Sequence, residues 1–404
     1  MTKLDTDVDV PIGRRIANAR IDRAITASEL GRRAGFSYSH ITKVEAGHRD
    51  ASPQLIIAAS QALGVSRAEL QGQPLQASAD QTQRLVEPLR RELAAYATPP
   101  TTEAPVADVE VLAGRVAEAG VLRHQVDLAQ LGALLPDLLA DLRRTVHSTY
   151  GTTRETAYEL LAESYAAASQ LAYKLGWHDL SSIAVDRYEW AAARSADPLA
   201  IAVGDYQRAG ELANVGEAEA AETVLSTARA TIQPTTGADA PTWSILGSLY
   251  LKSGLVAARS WRQGRERDVW HYFDAAAEAA TQVGSDRDDY RLAFGPSNVA
   301  IWRVSLAVEI EDIDSALKYG RDLRLPSGLA AERRSHFKID HARAQVWAGE
   351  YDAAMRSLYA ARTVAPQHTR WHPQARETVR ALDRGVRKAQ RRSLTELKHW
   401  FRIR

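Results

Sequence analysis

The chain has 404 residues, 45% of them apolar and none of them cysteine. Such a length suggests two or three domains with ample core material, and the lack of cysteine excludes a disulfide framework, a thiolate zinc site and a Cys nucleophile. The net charge of +1 is a sum over unlike parts: residues 11–75 carry nine basic against five acidic side chains, the last 21 residues carry eight against Glu396 alone, and residues 76–383 sum to −8. Basic ends suit a polyanion such as DNA, while an acidic middle limits non-specific adhesion. Solvated helix faces would carry the same charges. No apolar run approaches the ~18 residues of a membrane span, and the polar start is unlike a signal peptide. The expectation is a soluble, cytoplasmic protein with no membrane partner.

The first seventy residues read as five short helices, each with its own start signal. Ile12, Ile16 and Ala19 line the first, from Ile12 to Ile21. Thr26 with Glu29 forms a capping box for a helix running to Ala34, and Gly35 supplies the turn. Ser37 caps a third helix with Ile41 and Val44 as its buried pair, ended by Gly47. Ser52 followed by Pro53 starts a fourth, lined by Leu55, Ile56, Ala59 and Leu63 and stopped by Gly64. Ser66 with Glu69 is a second capping box. Two helices joined by a short turn containing Gly, inside a basic bundle, describe a helix-turn-helix.

The run TASELGRRAGFSYSHITKVEAGHR resembles the XRE, or lambda-repressor-like, DNA-binding family at Thr26, Leu30, Gly35, Phe36, Ser37, Ile41, Thr42, Val44, Glu45 and Gly47. The resemblance covers about residues 11–72; the family's usual Gln after the capping Thr is Ala27 here. It implies a bundle in which Arg20 and Glu45 form a partly buried, structural ion pair. The recognition helix is then Ser37 to Ala46, with Tyr38, Ser39, Thr42 and Lys43 outward. Lys43 can donate to guanine, Ser39 or Thr42 can bond several bases, and Tyr38 can pack on a thymine methyl. Thr26 and Ser37 complete the DNA-facing set. His40, His48 and Arg49 are expected at the phosphate backbone, and a solvated side chain is the bland alternative for each.

Leu85 to Tyr96 reads as a short amphipathic helix starting near Pro88, and residues 97–108 (ATPPTTEAPVAD) as an extended spacer. The domains expected are therefore 11–75, a connector at 76–106, and a helical region at 107–404. That last region shows helical period throughout and no convincing strand alternation.

The segment GEYDAAMRSLYAARTVAP is similar to a tetratricopeptide repeat, through Ala342, Gly349, Tyr351, Ala354, Leu358, Ala361 and Pro366. The same frame fits Ala209, Gly216, Ala221, Leu225 and Ala228, and again Ala257, Gly264, Phe273 and Ala276. Weaker copies turn at Gly176 and near Glu311. The fold class expected is all-α: a five-helix reading head followed by a TPR-like α-solenoid, whose concave face suits binding. Residues 294–310 and 365–382 resemble the XRE-plus-repeat regulators of actinobacteria. By more distant likeness, peptide-pheromone receptors of Gram-positive bacteria join the same two domains and bind peptides in the repeat groove. In that frame the groove-facing residues are Gln170, Tyr173, Tyr206, Asn214, Trp261, Arg262, Asn298, His336 and Arg343. An ordinary wet surface is the alternative. All nine tryptophans lie beyond residue 176, where filling gaps between helices accounts for most of them.

No GxxxxGK[ST], GxGxxG after a strand, HExxH or GxSxG is present. His368 and His372 are followed directly by Pro373, and His336 and His341 diverge on a helix, so neither pair is expected to hold a metal. No catalysis and no cofactor are expected. The expectation is a transcription regulator that binds a palindromic operator in double-stranded DNA as a homodimer, with a small-molecule or peptide signal sensed by the repeats. The alternative is an adaptor whose repeats dock a protein partner with no small ligand. The basic C-terminal helix offers a further nucleic-acid contact.

Overall fold

The computed structural model describes residues 10–73, 79–100, 105–233, 238–260 and 266–403. Five helices form the N-terminal bundle: α1 (Ile12–Asp22), α2 (Ala27–Ala34), α3 (Tyr38–Glu45), α4 (Pro53–Leu63) and α5 (Arg67–Gln71). The first-turn amides of a helix lack intrahelical acceptors. Thr26, Ser37, Ser52 and Ser66 supply them, each side-chain oxygen accepting from the amide three residues on at 3.0–3.3 Å. The capping boxes are not reciprocal throughout: the Glu29 carboxylate turns to Arg32 and Arg33, at 2.7 and 2.8 Å. Ile12, Ile16, Leu30, Ile41, Val44, Leu55, Ile56 and Leu63 fill the core, as their periodicity implies.

One ion pair ties the start of this bundle to its recognition helix. Arg20 Nε and Nη2 donate to the two Glu45 oxygens at 2.7 and 2.8 Å, and Nη1 donates to the Ile25 carbonyl at 2.7 Å. All three guanidinium nitrogens are thus engaged within the fold, which makes the pair structural.

Beyond the bundle, α6 (Ala79–Ala95) begins before Leu85 and carries Pro88 inside it rather than at its start. Val86, Leu89 and Leu93 are fully buried, and the helix packs on α8, α9 and α10. This connector helix belongs to the repeat core; of the spacer expected after it, residues 101–104 lie outside the described residues. Six antiparallel pairs follow. They are α7 (Val109–Gln125) with α8 (Leu128–Ser148), α9 (Gly151–Leu175) with α10 (His178–Ala192), and α11 (Pro198–Val215) with α12 (Ala218–Thr231). Then come α13 (Ala240–Arg259) with α14 (Glu266–Val283), α15 (Pro296–Glu309) with α16 (Ile313–Arg321), and α17 (Ala331–Trp347) with α18 (Tyr351–Val364). Three short helices end the chain: α19 (Pro366–Trp371), α20 (Pro373–Leu382) and α21 (Arg391–Phe401). Among the described residues there is no strand.

The turns at Gly176, Gly216, Glu311 and Gly349 fall where the repeat frame places them, the turn expected at Gly264 lies outside the described residues, and the small frame residues Ala209, Ala221, Ala342, Ala354 and Ala361 are fully buried. The α7–α8 pair has no counterpart in that frame. Its turn is made by Val126 at φ 58° instead of glycine, so the sequence carries no turn signal there.

The row of pairs does not remain open. Helix α7 touches α17 and α9 touches α19, the Leu128 amide donates to Gln367 at 3.1 Å, and Lys174 pairs with Glu332 at 3.1 Å. The loop before α15 helps the closure: Arg291 reaches Glu163 at 2.7 Å and Tyr290 donates to Asp197 at 2.6 Å. Tyr290, Arg291 and Ala293 all adopt positive φ there. Helix α21, whose second nucleic-acid contact is a third reading of the sequence, is amphipathic: it buries Leu394, Leu397 and Phe401 against α20 and leaves Arg391 and Arg392 exposed.

Gly13 marks the tightest approach in the bundle: a Cβ there would lie 2.0 Å from the Val44 carbonyl oxygen of α3. A backbone atom cannot rotate away, so Gly13→Ala is expected to destabilise the bundle by about 1–3 kcal/mol. Hydrogen exchange should accelerate in α1 and α3 and stay unchanged in α17; unchanged rates in α3 would refute the packing.

Candidate DNA interface and interdomain cavity

The face expected to read DNA is open. Tyr38, Ser39 and Lys43 are exposed on α3, with no contact to the repeats among their hydrogen bonds or ion pairs. Thr42 Oγ1 donates back to the Tyr38 and Ser39 carbonyls at 3.1 and 3.2 Å, which leaves its lone pairs as acceptors. Thr26 and Ser37 act as N-caps. Two expected phosphate contacts are placed otherwise. His40 packs edge-on against Phe36 at 4.9 Å, its Nε2 shielded and unpartnered, and burial with nearby Arg49 lowers its pKa. Arg49 pairs with Glu311 of the repeats.

The opposite face of the bundle docks on the edge of the solenoid where first helices of successive pairs end. The last carbonyls of a helix have no intrahelical donor and carry the negative end of its dipole. Here α4 supplies the donors. Gln54 Nε2 donates to Ala258 of α13 at 3.1 Å and also to Glu309 of α15, and Gln61 Nε2 donates to Val215 of α11 at 3.0 Å. Arg67 of α5 donates to Asn214. At the far end Trp347 Nε1 donates to Asp50 at 3.3 Å. Arg384 bridges the Gly47 carbonyl and the Asp50 carboxylate at 3.0 and 2.9 Å. Part of the basic C-terminal segment is thus spent holding the loop after the recognition helix.

A cavity of about 140 Å³ lies between α4–α5 and the place where the solenoid closes on itself. Pro53, Arg67, Gln71 and Gln73 line it from the bundle, and Tyr173, His178, Arg259, Glu332, His336 and Arg343 from the repeats. Burial alone would raise the Tyr173 phenol, but Arg67 and Arg259 outweigh it and bring it below its ordinary pKa. Arg67 Nε is shielded from solvent and has no partner. Glu332 is held ionised well below the carboxylate range: burial opposes this, and the charges of Lys174 and Arg333 overcome it.

Three of the nine expected groove residues, Tyr173, His336 and Arg343, therefore meet at one site. Asn214 is taken by Arg67, Tyr206 lies under the Lys252 ammonium at 4.1 Å, and Asn298 is buried inside the α15 packing. Gln170 is half-buried away from the cavity lining, and Trp261 and Arg262 lie outside the described residues. The repeat frame could not supply Arg67, Gln71 or Gln73, because that wall of the cavity is the reading head itself.

The histidines also assemble differently from the pairs weighed by spacing. His336 of α17, His368 of α19 and His372 at the α19–α20 junction each offer a ring nitrogen, all within 4.8 Å of one another. His341 stacks on Phe337 instead. Burial pushes His368 and His372 well below the usual imidazole range, so both rings are neutral and keep a free lone pair.

Residues 11–71 match the family described as a helix-turn-helix domain. The match supports a helix-turn-helix DNA-binding regulator and bears on that segment alone. No curated protein and no solved structure matches the chain. No helix among the described residues is long and apolar enough to cross a membrane.

His178 sits at the seam, its Nε2 3.0 Å from the Gln73 side-chain oxygen and its ring edge-on to Tyr173 at 4.9 Å. Burial, then Arg67, brings its pKa down to about 4, with Asp179 acting weakly the other way. The unfolded ring titrates near 6.5. A depressed folded-state value means the unfolded chain binds the proton first. The stabilisation is therefore complete above pH ~6.5 and is lost as pH falls toward ~4. His178→Gln keeps a donor for Gln73 and removes the titration. Between pH 7 and 5, urea unfolding of the wild type should lose on the order of 1–2 kcal/mol more than the variant. Parallel losses in both proteins would show that His178 does not titrate across this seam.

Proposed function

We propose that the chain is a ligand-responsive transcription regulator of the XRE type, without catalytic activity, acting on cytoplasmic DNA. In this reading the bundle binds palindromic DNA as a homodimer through α3, because one small module has limited affinity and paired half-sites suit a two-fold dimer. The TPR-like repeats sense a small polar molecule with an anionic group. The observation that carries the reading is the shared cavity: Arg67, Gln71 and Gln73 of the reading head and the repeat residues line the same space. Pockets between domains are common ligand sites, and a ligand that contacts both walls has a different affinity for docked and undocked arrangements. Such a difference is what shifts a conformational equilibrium. A cavity of about 140 Å³ lined by charged residues favours a compact polar signal over an extended peptide, and the unpartnered Arg67 Nε favours an acidic one.

The test is selection of DNA sites from a random pool by the full chain, repeated with a cell extract added. Two related half-sites are expected, with an altered yield when the extract is present. Lys43→Ala should reduce the preference for the selected site over random DNA by about 1–3 kcal/mol. A variant that weakens both equally would place Lys43 on the phosphate backbone and remove it from the reading set.

A further inference from the structure

We propose that His336, His368 and His372 form a binding site for one late first-row divalent cation, Zn²⁺ in the first instance, on the wall of the interdomain cavity. Three ring nitrogens lie within 4.8 Å of one another. A point equidistant from three atoms so spaced lies about 2.8 Å from each, and a Zn–N bond is about 2.0–2.1 Å. Each ring therefore needs to close by less than about 1 Å, which side-chain adjustment supplies. The backbone arrangement favours the set: α19 breaks at His372, which takes an extended conformation (φ −69°, ψ 117°) before Pro373. That break swings His372 toward α17, where a continuous helix would fix its direction by the i, i+4 relation to His368 alone.

Two further observations point to a ligand. His372 Nδ1 is shielded from solvent and has no hydrogen-bond partner, which is costly unless something else engages it. His368 Nδ1 meets the Ser335 hydroxyl at 3.2 Å, and Ser335 meets Thr369 at 2.9 Å. With its Nδ1–H donated to Ser335, His368 presents the Nε2 lone pair, and such outer hydrogen bonds orient metal-binding imidazoles. Asp340 lies 3.5 Å from His336 Nε2 and Glu332 lies 4.0 Å from His368 Nε2. Arg343 already pairs with Asp340 at 3.3 Å and Lys174 with Glu332 at 3.1 Å. The donor set is then imidazole, which suits Zn²⁺, Co²⁺, Ni²⁺ or Cu²⁺ and disfavours Mg²⁺ and Ca²⁺. Three protein ligands leave a fourth position toward the cavity, where an acidic signal molecule would complete the coordination. This last step rests on the cavity being a signal site; the cation site itself does not.

The experiment uses the untagged full chain without DNA, so that its outcome is independent of operator recognition. After chelator treatment and buffer exchange, Co²⁺ is titrated while visible d–d absorption is recorded, and Zn²⁺ is added to displace it. One equivalent per chain is expected, with Zn²⁺ bleaching the signal. His336→Gln and His372→Gln should each weaken binding at least tenfold, and His271→Gln and His399→Gln, both exposed elsewhere, should leave it unchanged. Ser335→Ala, a gentler change should the histidine variants misfold, should weaken binding by about ten- to a hundredfold. No cobalt spectrum in the wild type, or a full equivalent retained in folded His336→Gln and His372→Gln, overturns the proposal.

Discussion

The arrangement of this molecule depends on how the ends of its repeat helices are satisfied. A solenoid of paired helices collects the carbonyl ends of its first helices along one edge, and every one of them brings orphan acceptors and a partial negative charge. Water serves that need on an open edge. Here Gln54 and Gln61 of α4 take its place at the carbonyl ends of α11, α13 and α15, and Arg67 of α5 adds a bond to the Asn214 side chain. The amide side chains are suited to this, since each carries two donors without a charge to desolvate. This contact fixes which face of the bundle is buried. Docking through α4 and α5 leaves α3 facing outward, so Tyr38, Ser39 and Lys43 stay exposed.

Closure of the solenoid turns that docking into a site. Because α7 and α9 come round to meet α17 and α19, residues far apart in sequence, such as Tyr173, Glu332 and His372, share one small space. The bundle forms its roof. Cations from both parts converge there: Arg67 and Arg259 lower the Tyr173 pKa against its burial, and Arg67 adds to the burial that lowers His178. The lining mixes apolar surface with charged groups, and Arg67 Nε and His372 Nδ1 both lack partners. Buried polar groups are usually paired, so these two nitrogens carry hydrogen-bonding capacity that the protein does not itself use.

The local code was legible in the sequence and the assembly was not. Thr26, Ser37, Ser52 and Ser66 announce their helices because a capping oxygen acts within three residues, and Ala342, Ala354 and Ala361 announce a repeat because only small residues fit where paired helices cross. The α7–α8 turn escaped because Val126 takes a conformation that glycine normally marks. Helix α6 was misplaced because Pro88 reads as a start signal, whereas burial of Val86, Leu89 and Leu93 extends the helix through it. Of the groove residues, those at the closing ends came together, and those in the middle were consumed by local pairs such as Tyr206 with Lys252. The histidine cluster was invisible for a different reason. Spacing compares residues on one helix, and this set draws one ring from α17, one from within α19 and one from the residue that follows it.

Docking also bears on how the reading head meets DNA. Arg49 is held by Glu311, and Asp50 by Arg384 and Trp347, so the loop following the recognition helix is shared between the two parts. A phosphate approaching that loop competes with Glu311 for the same guanidinium. The contacts involved are few, and each hydrogen bond contributes only about 0.5–1.5 kcal/mol net, so the docked arrangement is within reach of a ligand's differential affinity. Moving a two-state equilibrium from 1:99 to 99:1 takes about 5.5 kcal/mol, comparable to losing the carbonyl contacts of α4 together with the pairs at Arg49 and Asp50. An occupant that strengthened both cavity walls at once would hold Arg49 against Glu311. On the proposed reading, one that separated them would free Arg49 for the DNA backbone, and this single side chain would couple the cavity to the strength of DNA binding.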